Sequence, residues 1–246
     1  MAKVRCPSTV ITISAGTYND DLLDISNLSN LSIEGNGMGS TIFDQSGSGN
    51  HFLEIKDYSN NISISGMTIK DYDENNNGGA LDITATGSIT LEDIHFDNNR
   101  TTSFSDDGGA IYISSNSSAT IDRCKFTNNS SYNASSSNGS CIYSEGNLNL
   151  YNTLFYDNTC NYGNSTIYSG HVYLRTESSG SQTSIINCTF TENNNGNPVL
   201  YYDGASGKHF QQNNLFFNNS SSYDVVEKYA NSDYPIMNNC FYESRT

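Results

Sequence analysis

Several short segments of the chain alternate between apolar and polar residues. Clear examples are residues 88–92 (SITLE), 119–122 (ATID) and 147–151 (NLNLY). A period of two places successive side chains on opposite faces of a strand, so each segment predicts a strand with one buried face. No segment of helical length shows an apolar period of 3.6 residues. The pattern therefore predicts an all-β protein made of short strands.

A Phe-x-x-Asn motif, degenerate at the C-terminal end, recurs along the chain every 25–35 residues. It begins at Phe96, Phe126, Phe155, Phe190 and Phe216, and it decays at Phe241. A second half-repeat precedes it, starting as Gly-Gly-Ala-Leu at 78–81 and Gly-Gly-Ala-Ile at 108–111, and drifting thereafter. Short strands at such a period, separated by Gly, Asn and Ser turns, are typical of a β-solenoid, in which each coil buries its apolar face against its neighbours.

The repeat covers the chain as one domain, residues 1–246. Coils with both motifs span 76–246, and looser coils with the same alternation span 1–75. No Pro- or Gly-rich linker separates the two parts. Eight to nine coils at about 4.8 Å each predict a rod about 40 Å long.

Each repeated position predicts a column of stacked side chains. The Phe residues should form one internal column, and Leu81, Ile111, Ile142, Ile167 and Leu200 another. The Asn three residues after each Phe predicts a ladder of amides inside a turn, each bonded to the next coil and tolerating left-handed backbone geometry. The paired glycines predict a corner that needs positive φ or a close backbone approach.

Composition and charge narrow the range of partners. The chain has 26 acidic and 11 basic residues and a net charge of −15, which argues against nucleic acid, because phosphates require a basic face. No window approaches eighteen apolar residues, so membrane insertion of this segment is not expected. The first residues lack the apolar core of a signal peptide, whereas the 35 Asn and 37 Ser are typical of extracellular chains. We therefore expect a piece of a longer secreted surface protein.

The six cysteines show no Cys-x-x-Cys metal spacing. Cys124 and Cys188 occupy the same position of the repeat, two coils apart, which is beyond disulfide reach and favours buried thiols. Cys141 and Cys160 fall in neighbouring coils and are the best candidates for a bridge, although free thiols remain an alternative.

The repeat resembles known surface proteins. Gly-Gly-Ala-Ile paired with Phe-x-x-Asn resembles the repeat of chlamydial polymorphic outer-membrane proteins, and Asn-Cys-Thr-Phe-Thr-Glu-Asn at 187–193 resembles methanogen adhesin-like surface proteins. The opening coils, with Ile-Ser-Ala-Gly-Thr-Tyr at 13–18, are similar to the first coils of the pectate-lyase-like group. These resemblances imply a right-handed parallel β-helix at the cell surface with an adhesive role.

One outward-facing column is the candidate binding site. It follows the internal Leu and Ile column by one residue and consists of Asp82, Tyr112, Tyr143, Tyr168, Tyr201 and Glu227. Four stacked tyrosines predict an aromatic face that binds a cell-surface glycan or a protein of another cell. The alternative is that the rings stack only for stability. The acidic flanks suit a cationic or Ca²⁺-bridged partner, but no cofactor or metal site is indicated.

Catalysis is the main alternative function, because parallel β-helices often carry polysaccharide lyases and glycoside hydrolases. The candidate residues on adjacent coils are Asp93, His95, Asp122, Arg123 and Lys125. His95 and Lys125 share a column, whereas Asp93 and Asp122 do not align, so no facing pair of carboxylates emerges. The sequence therefore favours a non-catalytic, extracellular recognition module, with a lyase or hydrolase and a structural stalk as alternatives.

Overall fold

The computed structural model describes residues 8–19, 23–46, 50–103, 106–131, 137–160, 170–175, 181–194, 198–204, 208–220, 226–228 and 236–242. Every regular element in these ranges is a β-strand. In chain order the strands are β1 (Thr9–Thr12), β2 (Gly16–Tyr18), β3 (Leu23–Ser26), β4 (Ser29–Glu34), β5 (Thr41–Asp44), β6 (Leu53–Lys56), β7 (Asn60–Lys70), β8 (Asp73–Glu74), β9 (Leu81–Ile83), β10 (Ser88–Asp97), β11 (Arg100–Thr101), β12 (Ile111–Ile113), β13 (Ser118–Asp122), β14 (Lys125–Thr127), β15 (Ser130–Ser131), β16 (Ile142–Ser144), β17 (Asn147–Tyr151), β18 (Leu154–Tyr156), β19 (Thr159–Cys160), β20 (Val172–Arg175), β21 (Gln182–Ile186), β22 (Thr189–Thr191), β23 (Leu200–Asp203), β24 (Lys208–Gln212), β25 (Leu215–Phe217), β26 (Val226–Lys228), β27 (Ile236–Met237) and β28 (Cys240–Tyr242).

The strands form three sheets in which each strand pairs in parallel with its equivalent in the next coil. Sheet 1 has 16 strands, sheet 2 runs from β3 to β26 with eight, and sheet 3 contains β8, β11, β15 and β19. The register matches the sequence repeat, since Ile89 pairs with Ala119 and Ala119 with Leu148. The prediction of an all-β parallel solenoid is confirmed.

The number of coils that have a described strand on all three faces is smaller than the expected eight to nine. Sheet 2 contributes one strand per coil and has eight, but sheet 3 has only four. The pairing beside sheet 3 extends by one isolated parallel bridge, between Thr159 and Asn194, so fewer coils than expected have a described strand on all three faces.

Sheet 1 bends sharply at one position in each coil. Strands β7 and β10 run through this bend, whereas later coils divide there into two strands, such as β13 and β14. The residue at the bend has positive φ, as in Gly66 (68°), Asp93 (53°), Arg123 (51°) and Asn152 (48°). Asn and Asp accept this left-handed geometry better than other non-glycine residues, which explains why the turns are rich in them.

The Phe column fills the interior behind the second half of sheet 1. Phe96, Phe126, Phe155 and Phe190 are fully buried, and their ring centroids stack 4.7–4.8 Å apart. The inward column of sheet 2 contains Leu81, Ile111, Ile142, Val172 and Leu200. Ile167, which the sequence placed there, lies outside the described residues, and Val172 takes its position.

The predicted Asn ladder is present and buried. The Asn129 amide nitrogen donates to the carbonyl oxygen of Phe96 at 3.0 Å and to Asn158 Oδ1 at 3.1 Å. Asn129 Oδ1 accepts from the backbone and side-chain nitrogens of Asn99 at 3.0 and 3.1 Å. The left-handed backbone geometry expected at each ladder Asn occurs one residue earlier, for example at Asn128, where φ is 57°.

The paired glycines meet both of the predicted requirements. Gly78 and Gly108 have φ of 72° and 75°. A Cβ on Gly79 would lie 2.2 Å from the carbonyl oxygen of Gly109, so the second glycine allows successive coils to approach. Larger residues are disfavoured at Gly78 by its positive φ and at Gly79 by the lack of space for a Cβ.

The described cysteines are free thiols. Cys124 and Cys188 are buried in one column with Thr153 between them, as the sequence predicted. Cys141 and Cys160 are fully buried and form no disulfide, so the candidate bridge is absent from this structure. Each thiol has a polar neighbour instead. The Ser140 hydroxyl lies 3.8 Å from the Cys141 sulfur, and His171 Nδ1 lies 3.8 Å from the Cys160 sulfur.

Candidate functional site

The outward column of sheet 2 contains the predicted tyrosines, with one change of register. In order along the rod it consists of Asp82, Tyr112, Tyr143, Tyr173, Tyr201 and Glu227. Tyr168, the predicted member, lies outside the described residues. With Tyr173 in the column, the inward neighbour Val172 stands 18 residues before Phe190, a spacing closer to that of the other coils than the 23 residues from Ile167.

The tyrosine column is covered rather than exposed. Tyr143, Tyr173 and Tyr201 are only 2, 6 and 1% exposed, and Tyr112 packs against them partly buried. Their rings stack along the rod with centroids 5.0–5.6 Å apart. They form a cluster separate from the main core, so the outward direction was predicted correctly, but the expected open aromatic face was wrong.

The tyrosine hydroxyls bond to charged side chains on the neighbouring column. Tyr112 and Tyr143 donate to the Glu145 carboxylate at 3.4 and 3.3 Å, and Tyr173 donates to Asp203 Oδ2 at 2.7 Å. Arg175 lies 3.7 Å from Glu145. Burial is the main cause that raises the pKa of Tyr143 well above its ordinary value. The arrangement is a second, polar-capped packing layer outside sheet 2.

Two carboxyl groups near the start of this column are perturbed by burial. Burial raises the pKa of Asp82 to about 6, and its Oδ1 atom has no hydrogen-bond partner in the described part of the chain. Burial likewise raises the pKa of Asp107 to about 7, although its carboxylate accepts the Asn138 backbone N–H at 2.6 Å. Among the described residues no group of three or more His, Cys, Asp or Glu side chains is arranged to hold a metal ion.

The catalytic candidates lie on the bend of sheet 1, mostly in ion pairs. Arg123 bonds to both oxygens of Asp93 at 3.0 and 2.9 Å and also contacts Asp122 at 2.6 Å. His95 and Lys125 share a column, as predicted. Asp122 pairs in register with Glu92 and not with Asp93, which matches the predicted misalignment. The guanidinium group sits among the carboxylates, so no open pair of carboxylates forms here.

Sequence reasoning missed an exposed row of apolar side chains on sheet 1. Tyr156, Phe217 and Tyr242 are 38, 39 and 56% exposed and occupy one outward column, with Thr191 between the first two. The rings of Phe217 and Tyr242 stack 5.2 Å apart, and Leu215, 38% exposed, lies in the adjacent outward column. We call Tyr156, Leu215, Phe217 and Tyr242 the aromatic strip. The signal was available, because each aromatic member directly follows a Phe of the repeat column and must therefore face the opposite side of its strand.

Comparisons with known proteins leave the fold as the main guide. No protein-family model matches this chain, and a search of curated proteins finds no match. The described part of the chain has no helix long and apolar enough to cross a membrane.

Proposed function

We propose that this chain is a non-catalytic recognition module of a cell surface, which binds a glycan or a protein of another cell. The aromatic strip is the observation that carries the proposal. Soluble monomers rarely leave neighbouring large apolar side chains exposed unless these serve a contact. An extracellular location belongs to the same proposal and is supported by the acidic, Asn- and Ser-rich composition.

The strip is suited to recognition because strand pairing holds its backbone in register. Its members stand on β18, β25 and β28, which pair in register with their neighbours, and Phe155 and Phe216, next to Tyr156 and Phe217, are buried. Aromatic rings bury a large area and have few rotatable bonds, so they lose little conformational entropy on binding. Many copies on one surface would add their contacts through avidity.

A structural stalk is the second candidate, and the buried tyrosine column favours it. Stacked, hydroxyl-paired rings outside sheet 2 stiffen the rod without offering a surface to a ligand. A lyase or hydrolase is supported least, because the carboxylates nearest to a catalytic arrangement, Asp93 and Asp122, are both bonded to Arg123.

The test compares two sets of aromatic substitutions in the full chain. Fluorescent beads coated with the protein are incubated with a glycan array and with a panel of bacterial and eukaryotic cells. The double change Phe217→Ser/Tyr242→Ser removes the stacked end of the strip. Tyr58→Ser is the matched control, because Tyr58 is 79% exposed but stands on a turn outside the strip.

The proposal predicts that the double variant loses binding by more than about tenfold, since two interface aromatics are each worth about 2 kcal/mol. The control should bind like the wild type, and both variants should keep their melting temperature within a few degrees. Unchanged binding by the folded double variant contradicts the proposed contact surface. Absence of binding to every probe favours the stalk, and release of sugars from a polysaccharide contradicts a non-catalytic role.

A further inference from the structure

A polar cavity opens beside the start of sheet 3, on the same edge of the rod as the aromatic strip. It has a volume of about 330 Å³ and is lined by Ser46, Asp71, Tyr72, Asp73, Asn98 and Arg100. This volume lies at the small end of the range of about 300–1,000 Å³ that is typical of ligand pockets. The cavity therefore has room for a small ligand or for one part of a larger one.

The backbone places the polar lining on neighbouring coils. Asp71 and Asn98 occupy equivalent bends with φ of 59° and 53°, and Asp73 pairs in register with Arg100 on sheet 3. The Asn98 amide donates to Asp71 Oδ1 at 2.5 Å, and Lys70 contacts the other oxygen of Asp71 at 2.9 Å. These bonds hold Asp71 and Asn98 in fixed positions at the wall of the cavity.

Asp73 is the group whose hydrogen bonding is incomplete. Its Oδ2 atom accepts from Arg100, but Oδ1 is buried and has no partner in the described part of the chain. The Asp73 side chain is 14% exposed, whereas that of Arg100 is 56% exposed. A guanidinium has five N–H donors, so Arg100 can still donate to a ligand while it holds Asp73. The carboxylate of Asp71, which is 25% exposed, lines the cavity beside Arg100, so acceptor lone pairs and N–H donors stand side by side.

This pairing selects a neutral ligand with adjacent donors and acceptors. Two carboxylates in the lining disfavour an anion, and the cations of Arg100 and Lys70 disfavour a metal ion or an amine. Neighbouring hydroxyl groups on a sugar ring supply a donor for the Asp71 carboxylate and an acceptor for Arg100 at the same time. The geometry points to a pocket that binds one uncharged sugar residue through Asp71, Asn98 and Arg100, with Asp73 holding Arg100 in position.

The pocket and the strip lie along one line of the rod, which connects this inference to the proposed function on which it rests. Asp97, one residue before Asn98, belongs to the same outward column as Tyr156, two coils away. At about 4.8 Å per coil this is about 10 Å, so a short glycan can reach from the pocket to the first ring of the strip.

The experiment is an NMR titration of the full chain with individual methyl glycosides. The neutral probes are those of glucose, galactose, mannose and N-acetylglucosamine, and the charged probes are galacturonic acid and glucosamine. At least one neutral probe should shift the side-chain amide resonances of Asn98. Asp73→Asn should weaken its binding about tenfold, because it removes the charged acceptor that holds Arg100 in position. Asp93→Asn is the matched control, since Asp93 also pairs with an arginine of the next coil but does not line the cavity.

Binding of a neutral sugar that is weakened by Asp73→Asn and unchanged by Asp93→Asn supports the pocket. Should Asp73→Asn fail to fold, Arg100→Gln replaces it, and the same loss is expected. The inference is overturned if no neutral probe shifts Asn98, if a charged probe binds better, or if the folded pocket variants bind like the wild type. These failures leave the proposed function intact, because its own test depends on the aromatic strip.

Discussion

Removal of one rung of the Asn ladder tests the internal structure of the rod most directly. Asn129→Ala deletes an amide that is 0% exposed and lies between Asn99 and Asn158. The deleted oxygen accepts two bonds from Asn99, and the deleted nitrogen donates to Phe96 and Asn158. Water cannot replace these partners unless the coils separate.

The magnitude follows from the groups that are left unsatisfied. The backbone N–H of Asn99, one of its amide hydrogens and the carbonyl of Phe96 each lose a partner. Asn158 Oδ1 keeps the bond from the Asn129 backbone N–H at 2.9 Å, so it is compensated. An unsatisfied buried group costs about 1–3 kcal/mol, and partial relaxation lowers the sum. We expect a loss of about 3–6 kcal/mol in the free energy of unfolding.

The assay is urea unfolding followed by far-UV circular dichroism, with midpoints compared at a common slope. Asn149→Ala is the matched control, because Asn149 is on the outward face of β17 in the next coil, and its side chain has no hydrogen bond to another described residue. The control should change stability by less than about 0.5 kcal/mol. Asn133→Ala, the control that the sequence alone suggests, falls outside the described residues. Equal midpoints for Asn129→Ala and Asn149→Ala would refute the ladder.

Three further outcomes follow from burial. Phe126→Ala should cost about 3–5 kcal/mol, because its ring stacks on both neighbours 4.8 Å away, and a loss below 1 kcal/mol in urea melts contradicts the register. Burial raises the pKa of Asp107 to about 7, above its value in the unfolded chain. Above pH 7 the folded protein must therefore keep a buried carboxylate ionised, which lowers its free energy of unfolding. Asp107→Asn should therefore raise the free energy of unfolding at pH 8 by up to about 4 kcal/mol and leave it unchanged at pH 4, and the melting temperature should follow. An equal shift at both pH values contradicts this. Alkylation of the native protein with iodoacetamide, mapped by mass spectrometry, should label the exposed Cys240 and spare Cys124 and Cys188. Burial raises the pKa of both of these thiols to about 12, so they hold little reactive thiolate. Labelling of all three cysteines at the same rate contradicts the burial of Cys124 and Cys188.

The amino-acid sequence by itself determined the all-β solenoid and most of its internal columns. A strand exposes alternate residues to opposite sides, and a parallel stack repeats the same contacts in every coil, so a local pattern carries the long-range pairing. The Phe column, the Asn ladder and the glycine corners were predictable because each demands a particular side chain at a fixed offset. Prediction of the register worked wherever both half-repeats were intact.

Only the tertiary structure decided which outward residues are accessible. Alternation placed Tyr143 outside sheet 2, but its 2% exposure depends on what packs above the sheet, which no period in the sequence encodes. The member between Tyr143 and Tyr201 was also misplaced, because a long polar insertion disturbs the spacing and two tyrosines could fill the position. The pairing of Asp73 with Arg100 joins residues 27 positions apart through a two-residue strand, too short to leave a pattern. A solenoid repeat specifies how coils stack, whereas a binding surface arises where the irregular parts of different coils meet.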